Sequence, residues 1–364
     1  MATNPNEIGV GDAAVRSVYQ QPTGEWTTSE QSARLVPTHC PFCGMQCGMN
    51  LKVDNEGHVF GIQPREFPVN KGRLCPKGVV AYQQINHPQR LTYPMMRKGG
   101  KNSPLERCTW DEALNYIVQK WRDIQARDGQ NAFAIYSGSS LTTEKTYLIG
   151  KFARVAAKTG NIDYNGRLCM VSAAAGNNKA FGVDRAANPW SDIALADVIF
   201  SAGSNTAECH PLTMPYLWEA RDRGGKHIVV DPRVTPSART ADIHLQIRPG
   251  TDTALANAIL HQMVKNDWLD HDFIANRTVG FEEMAKVVAD YSPAKVSRLC
   301  GIPAARIEEA AEIWGTAKTS FLMHARGIEH STNGVNNVLS YINMVLASGR
   351  LGRPGCGYGT LTGQ

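Results

Sequence analysis

The sequence lacks long apolar runs, export signals and basic blocks. No stretch approaches the roughly 18 uninterrupted apolar residues of a transmembrane helix. The N-terminal segment has no basic region, apolar region or twin-arginine pair, so nothing in it marks the chain for export. The net charge of +5 is small for 364 residues and no Lys/Arg-rich block is present, which argues against a nucleic-acid partner. We therefore expect a cytoplasmic protein with neither membrane nor nucleic acid as partner.

Cysteine, by contrast, is present at informative positions. The nine cysteines are an odd number in a chain without an export signal, which argues against a disulfide framework. Cys40, Cys43 and Cys47 lie within eight residues, and Cys75 follows after 27 intervening residues. Four thiolates spaced in this way can hold a 4Fe-4S cluster, which takes one cysteine per iron. A structural zinc site is the alternative, although zinc ribbons usually present two separated C-x2-C knuckles.

Strands and helices alternate from about residue 132, which predicts a parallel sheet covered by helices. Before that point, a β-hairpin is expected over 49–62, and Thr109 with Glu112 predicts the capping box of a helix. One strand over 197–201 leads into Gly203, Ser204 and Asn205, and a second over 228–231 ends in Asp231.

Loops after such strands are candidate ligand sites, because open α/β sheets bind phosphates and dinucleotides at the carboxyl ends of their strands. Gly203 allows close approach, and Ser204 and Asn205 can hydrogen-bond a pyrophosphate. Asp252, after Thr251 at a helix start, could accept the hydrogens of a guanine or simply cap the helix. Each loop taken alone is more readily a structural turn than a ligand site, because such turns are common in α/β proteins. The full G-x-G-x-x-G fingerprint is absent, so a nicotinamide dinucleotide is not favoured.

Together these motifs resemble the molybdopterin-guanine-dinucleotide oxidoreductase family from about residue 38 to the last residue. Within that family they are most similar to the catalytic subunits of cytoplasmic assimilatory nitrate reductases, because Met170 follows Cys169 where formate dehydrogenases usually carry histidine. The resemblance rests on the four cysteines followed by Pro-Lys-Gly and on four further segments, which are 165–170, 203–208, 250–252 and 355–364.

The resemblance implies a role for individual residues. Cys169 would be the protein thiolate on molybdenum, with Met170 beside it, and Lys77 would relay electrons between the cluster and the nearer pterin. Arg167 or Arg326 would attract the anionic substrate. Residues implied in holding a molybdenum bis(molybdopterin guanine dinucleotide) cofactor are Lys77, Ser140, Asn165, Gly203, Ser204, Asn205, Glu208, Asp231, Arg233, Thr251, Asp252, Arg326 and His330.

The activity that the resemblance implies is reduction of nitrate to nitrite, with electrons entering through the cluster from ferredoxin, flavodoxin or an NADH-linked subunit. Formate or another oxo-acid oxidoreduction on the same cofactor is one alternative. An inactive iron–sulfur or cofactor-carrying polypeptide is another. The sequence leaves open the donor, molybdenum against tungsten, and the oligomeric state.

The fold that the resemblance implies is α/β, with several domains. Subunits of this family are considerably longer, so we expect this chain to lack the rest of a split α/β domain and a C-terminal β-barrel domain. The expected divisions are a flexible arm over 1–37, an iron–sulfur domain over 38–93, a split α/β domain over 94–160 and 319–364, and a Rossmann-like dinucleotide-binding domain inserted over 161–318.

Overall fold

The computed structural model describes residues 34–361. Residues 1–33 of the predicted arm lie outside this range, while residues 34–37 are not an arm but the start of strand β1 (Arg34–His39). The backbone hydrogen-bonding groups of this strand are satisfied by antiparallel pairing with β2 (Gly48–Val53), the next strand along the chain, a pairing that composition does not reveal. β2 also pairs with β3 (Val59–Pro64), which confirms the predicted hairpin.

The cysteine-rich loop connects β1 to β2. The Cys40 N–H donates to the Cys47 carbonyl at 2.9 Å and closes this loop. Cys75 directly precedes the one-turn helix Pro76–Val79, where proline occupies a first-turn position that lacks a backbone partner in any case. The loop and the helix start therefore belong to one small module built on the three-stranded sheet.

A middle segment follows this module. A short ribbon of β4 (Met95–Met96) and β5 (Glu106–Arg107) leads into helix Trp110–Asp128, whose predicted capping box is confirmed. Next come β6 (Ile135–Ser137), helix Thr143–Lys151 and β7 (Ile162–Tyr164), and β6 pairs with β7 in parallel. Neither helix buries a residue within the described part of the chain.

Five parallel strands form the main sheet. They are β8 (Val198–Ala202), β9 (Lys226–Val230), β10 (Ile243–Leu245), β11 (Ser320–His324) and β12 (Gly357–Thr360), in the order β10-β9-β8-β11-β12. The first strand of the sheet, β8, is central, and the chain direction across the sheet reverses between β8 and β11. This is the strand order of a doubly wound dinucleotide-binding fold, which binds its ligand at the reversal.

The domain boundary predicted at 318/319 falls inside this sheet, since β11 and β12 pair with β8 and with each other. β11 is buried at every position, as expected of an interior parallel strand. An apolar run of this kind identifies a buried strand, but it does not say which sheet the strand joins.

Side chains of β8 alternate between two apolar layers. Val198, Phe200 and Ala202 face the layer that contains helices Asp252–Lys265, Ala304–Thr316 and Gly334–Ala347. Ile199 faces the opposite layer, which contains helix Met214–Asp222 and residues of the cysteine module. The module is thus packed on one face of the main sheet.

The remaining α-helices connect or flank these elements. Among residues 34–361, none has both the length and the apolar composition needed to cross a bilayer. The remaining α-helices are Gly166–Cys169, Val171–Phe181, Thr206–Cys209, Pro236–Arg239, His271–Arg277, Phe281–Val288, Pro293–Cys300 and Arg326–Glu329.

Candidate functional site

The four cysteines singled out by their spacing line one cavity. Lys77 and Gly78, from the helix that follows Cys75, line it as well, and Pro211 and Leu212, from the short turn of 3-10 helix after the β8 loop, close it. No three or more His, Cys, Asp or Glu side chains in residues 34–361 converge as a site for a single metal ion. Thiols spread around a cavity suit a four-iron cluster, which takes one cysteine per iron.

Burial controls the acidity of these thiols. It raises the pKa of Cys47 to about 12, and the neighbouring Cys43, Cys40 and Cys75 add to the effect. Burial also raises the pKa of Cys40, against which the Phe42 backbone N–H acts. The Cys40 and Cys47 thiols are therefore protonated without a cluster, and cluster binding to them must release protons, because only thiolates ligate iron.

Lys77 joins this cavity to the main sheet. Its Nζ donates to the backbone carbonyl of Cys209 at 3.1 Å, at the end of the short helix that follows the β8 loop. Its charge is also among the influences that lower the pKa of Cys40, against the larger effect of burial. The lysine thus spans the gap between the cysteine cavity and the carboxyl edge of the sheet.

At that edge, Gly203 lies at the reversal of strand order. Its φ is +57°, and its carbonyl accepts from the Gly327 N–H at 3.0 Å. A β-carbon on Gly203 would lie 2.6 Å from the Ile328 nitrogen. The close approach that glycine permits here is therefore to the loop after β11, which brings the two central loops of the edge together.

The other predicted residues after β8 and β9 form local hydrogen bonds. Ser204 is buried, with its Oγ 3.2 Å from Thr206 Oγ1, and Asn205 donates to Glu208. Asp231 Oδ1 accepts from the Arg233 N–H at 2.8 Å. Parallel pairing of β8 and β9 puts both loops at the same edge of the sheet.

Asp252 begins the helix after β10 and is only 7% exposed. Burial raises the pKa of its carboxyl to about 6, and its own backbone N–H partly offsets that effect. Thr251 Oγ1 donates instead to the Arg248 carbonyl at 2.7 Å. A buried carboxylate that is expensive to ionise gains from a ligand that donates hydrogen bonds to it.

Cys169 lies at the end of the short helix Gly166–Cys169 and is half-buried. Its backbone carbonyl accepts from Arg326 Nη1 at 3.0 Å and from His330 Nε2 at 2.7 Å. The structure thus brings three predicted site residues together across more than 150 positions of sequence. Met170 Sδ is 3.8 Å from the Tyr164 hydroxyl.

Two further predicted residues lie beside this loop. Asn165 Oδ1 accepts from the Ser139 N–H at 2.8 Å, which places exposed Ser140 next to the turn before Cys169. Arg167 is exposed and its Nε lies 3.7 Å from Asp163 Oδ2, whereas Arg326 is engaged by Cys169, Glu329 and the Leu361 carbonyl. Of the two arginines considered for anion attraction, Arg167 is the more accessible.

Several polar residues of this region were missed by sequence reasoning. Glu329 and His324 contact each other in the interior, and Tyr358 and Asn177 extend their hydrogen bonds. Asn337 joins the helix after β10 to the turn after β11: its Oδ1 accepts from Thr253 and its Nδ2 donates to the Ile328 carbonyl. Their one signal in the sequence was polarity within otherwise apolar segments.

Comparison with known proteins identifies the class. Residues 33–87 match the molybdopterin oxidoreductase Fe4S4 domain, and residues 90–362 match the family described as molybdopterin oxidoreductase. The chain belongs to the molybdopterin oxidoreductase family. These two domains indicate a molybdopterin cofactor and a 4Fe-4S cluster, as the sequence predicted, in a mixed α/β protein with an N-terminal cluster domain.

The chain is similar to individual family members that are named for different reactions. The chain is 41% identical over 340 residues to the assimilatory nitrate reductase catalytic subunit of Bacillus subtilis (strain 168), covering 92% of this chain and 47% of the relative. It is 39% identical over 332 residues to the F420-dependent formate dehydrogenase subunit alpha of Methanocaldococcus jannaschii, covering 91% and 48%. The chain spans about half the length of the curated relatives it matches.

A solved structure shows the same fold. Acetylene hydratase from Pelobacter acetylenicus superposes with a TM-score of 0.75 at 24% sequence identity, over 86% of this chain and 43% of that one. The reactions named for these three proteins differ, so family membership alone does not decide the reaction of this chain.

Proposed function

We propose that this chain serves a molybdenum-dependent reduction of nitrate to nitrite and water, taking up two electrons and two protons per nitrate. The observation that carries the proposal is Met170 directly after Cys169. Arg326 and His330, which follow β11, hold the loop of these two residues by hydrogen bonds to the Cys169 carbonyl. The nitrate reductase relative at 41% identity supports it.

The residues fit the two groups that the family implies. Cys40, Cys43, Cys47 and Cys75 would hold the cluster, since they line one cavity and a cysteine ligates iron as its thiolate. Cys169 would ligate molybdenum, which, when bound, supplies two-electron oxygen-atom transfer. Lys77, with its Nζ between the cavity and the sheet edge, would assist electron passage between the two groups.

The cofactor in this proposal is a bis(molybdopterin guanine dinucleotide). One dinucleotide would lie along the carboxyl edge of the main sheet. Asp252 would accept the guanine hydrogens, and Asp231 with Arg233 would contact a ribose. Its pyrophosphate and pterin neighbours would be Ser140, Asn165, Gly203, Ser204, Asn205 and Glu208, and Arg326 and His330 would face the second dinucleotide while holding Cys169.

The domain division and setting are part of the same proposal. An iron–sulfur domain over 38–93 would receive electrons in the cytoplasm from ferredoxin, flavodoxin or an NADH-linked subunit. A split α/β domain over 94–160 and 319–364 and an inserted Rossmann-like domain over 161–318 would form the cofactor site. Arg167, exposed beside Cys169, would attract nitrate.

Formate oxidation on the same cofactor is the second candidate, because a formate dehydrogenase subunit matches at 39% identity. The deciding experiment uses the full chain purified from a host that makes the cofactor. Metal analysis should give about four irons and one molybdenum per chain. Viologen-linked assays with nitrate and with formate then separate the two reactions.

The control variant is Cys169→Ala, which should keep its iron and lose activity. Formate oxidation without nitrate reduction by the molybdenum-loaded chain would refute the nitrate proposal. Iron without molybdenum would instead support the inactive carrier.

A further inference from the structure

A buried ionic cluster lies behind the Cys169 loop. Glu329 Oε1 is 3.0 Å from His324 Nδ1, and both side chains are fully buried. Glu329 Oε2 accepts from Arg326, whose side chain is 21% exposed. We refer to His324, Arg326 and Glu329 as the Glu329 triad.

His324 connects the triad to further side chains. His324 Nε2 lies 2.5 Å from the Tyr358 hydroxyl, and that hydroxyl donates to Asn177 Oδ1 at 3.0 Å. Asn177 Nδ2 in turn donates at 2.9 Å to Asp184, which is exposed. The carboxylate of Glu329 is therefore held from two sides by side chains that are themselves fixed.

Stability alone does not explain such a cluster. Removing a carboxylate from water is costly, and well-packed apolar side chains of similar volume usually stabilise a protein at least as well as a buried ion pair. What the triad does provide is a fixed position for Arg326. That guanidinium reaches out of the cluster to two backbone carbonyls, of Cys169 at 3.0 Å and of Leu361 at 3.2 Å.

We propose that Glu329 is a positioning residue for Cys169: it orients Arg326, which fixes the backbone carbonyl of Cys169 and hence the direction of its thiol. Because the carbonyl and the side chain share one Cα, holding the carbonyl limits the rotation of the whole residue. A thiolate that must meet a metal at a defined geometry gains from such support. The inference rests on the proposed metal-ligating role of Cys169.

The first test measures Cys169 itself, in the full chain purified without cofactor. The alkylation rate of Cys169 by iodoacetamide is followed by mass spectrometry, with exposed Cys209 as internal reference. In Glu329→Gln, Arg326 loses the carboxylate that orients it toward the Cys169 carbonyl. We therefore expect Cys169 to react about tenfold faster relative to Cys209.

The matched control is Arg350→Met. Arg350 is another buried cation, and it binds the carbonyls of Trp314 and Gly315 instead of the Cys169 loop. Its replacement destabilises the same sheet region. When its Tm falls as far as that of Glu329→Gln, the ratio of the Cys169 to the Cys209 alkylation rate should still be unchanged. Equal acceleration in both variants, or no acceleration in Glu329→Gln, would overturn the proposal.

A second variant and a second readout guard against misfolding. Arg326→Lys keeps a positive charge but cannot span Glu329 and two carbonyls, so it should also accelerate alkylation. In the cofactor-loaded chain, both variants should shift the electron paramagnetic resonance signal of molybdenum(V), while Arg350→Met should not; an unshifted signal counts against the proposal. Since alkylation needs no turnover, its result is separable from failure to reduce nitrate.

Discussion

Gly203 and Gly327 pack backbone against backbone: a β-carbon on Gly203 would lie 2.8 Å from the Cα of Gly327, and one on Gly327 would lie 2.5 Å from the Cα of Gly203. This contact joins the loops after β8 and β11, the two strands between which the sheet reverses. The edge that carries the proposed cofactor residues therefore depends on two side chains being absent.

Gly203→Ala should be strongly destabilising, because its β-carbon would meet backbone that cannot move independently. We expect a loss of about 3 kcal/mol in the free energy of unfolding, measured by urea denaturation. Gly182→Ala is the control, since Gly182 has φ +73° but no atom within 4 Å of the added carbon. It should lose only about 1 kcal/mol, which is the cost of placing alanine in the left-handed region of backbone conformation. Equal losses would show that the contact is not tight.

Lys77→Met should leave cluster binding intact and change the cluster's redox behaviour. The four cysteines remain, so iron content should not fall. Loss of a positive charge beside the cavity disfavours the reduced cluster, and the midpoint potential should fall by on the order of 50–100 mV. Lys71→Met, which removes a lysine lying over the Tyr216 ring outside that cavity, is the control. A potentiometric titration that shifts equally for both variants would contradict a local role for Lys77.

Asp252 should make stability depend on pH. Its folded pKa, raised by burial to about 6, exceeds its ordinary value of 3.8. The contribution of the protonated Asp252 carboxyl to the free energy of unfolding is therefore complete below about pH 4, and it is lost as the pH rises through about 6. Relative to Asp252→Asn, the wild-type chain should lose about 3 kcal/mol of unfolding free energy over that interval. Denaturant titrations from pH 4 to pH 7 measure the difference.

Exposed Asp163→Asn serves as the control for Asp252→Asn and should show the wild-type pH dependence. If Asp252→Asn did so as well, the carboxyl would not be the buried acid described here. A guanine that donates hydrogen bonds to Asp252 should lower its pKa, and a guanine nucleotide should therefore stabilise the wild-type chain more at pH 7 than at pH 5.

Removal of one cluster ligand should be visible as metal loss. Cys47→Ser should reduce the iron content to well below that of the wild type and bleach the visible sulfur-to-iron absorbance, because the hydroxyl is a poor replacement for a soft thiolate. Cys300→Ser, at a buried cysteine outside the cavity, should keep its full iron content. A Cys47→Ser protein with wild-type iron would exclude Cys47 as a ligand.

Local chemistry was the most predictable part of this molecule. The closely spaced Cys40, Cys43 and Cys47, the hairpin of β2 and β3, and the Thr109–Glu112 capping box depend on neighbours in sequence, so the pattern alone indicates them. Long-range placement was not predictable in the same way. The contacts of Arg326 and His330 with the Cys169 carbonyl need β11 beside β8, and β11 was assigned to another domain.

The Glu329 triad illustrates the same limit. Glu329 and His324 are five positions apart, yet their contact depends on the turn that the short helix Arg326–Glu329 makes after β11. Tyr358, which holds His324 from the other side, arrives from β12, 34 positions further on. A single sequence shows such residues only as polar interruptions, since their meeting is a property of the folded sheet.

The central pairing of β8 with β11 joins segments that are far apart along the chain. Val198 and Ser320, which face each other in the register, are 122 positions apart, and a contact so distant in sequence forms late because its loop-closure entropy must first be offset. Cys169 leaves the ribosome long before the residues that hold its carbonyl. The hydrogen bonds that hold the Cys169 carbonyl can therefore form only after synthesis has passed residue 330.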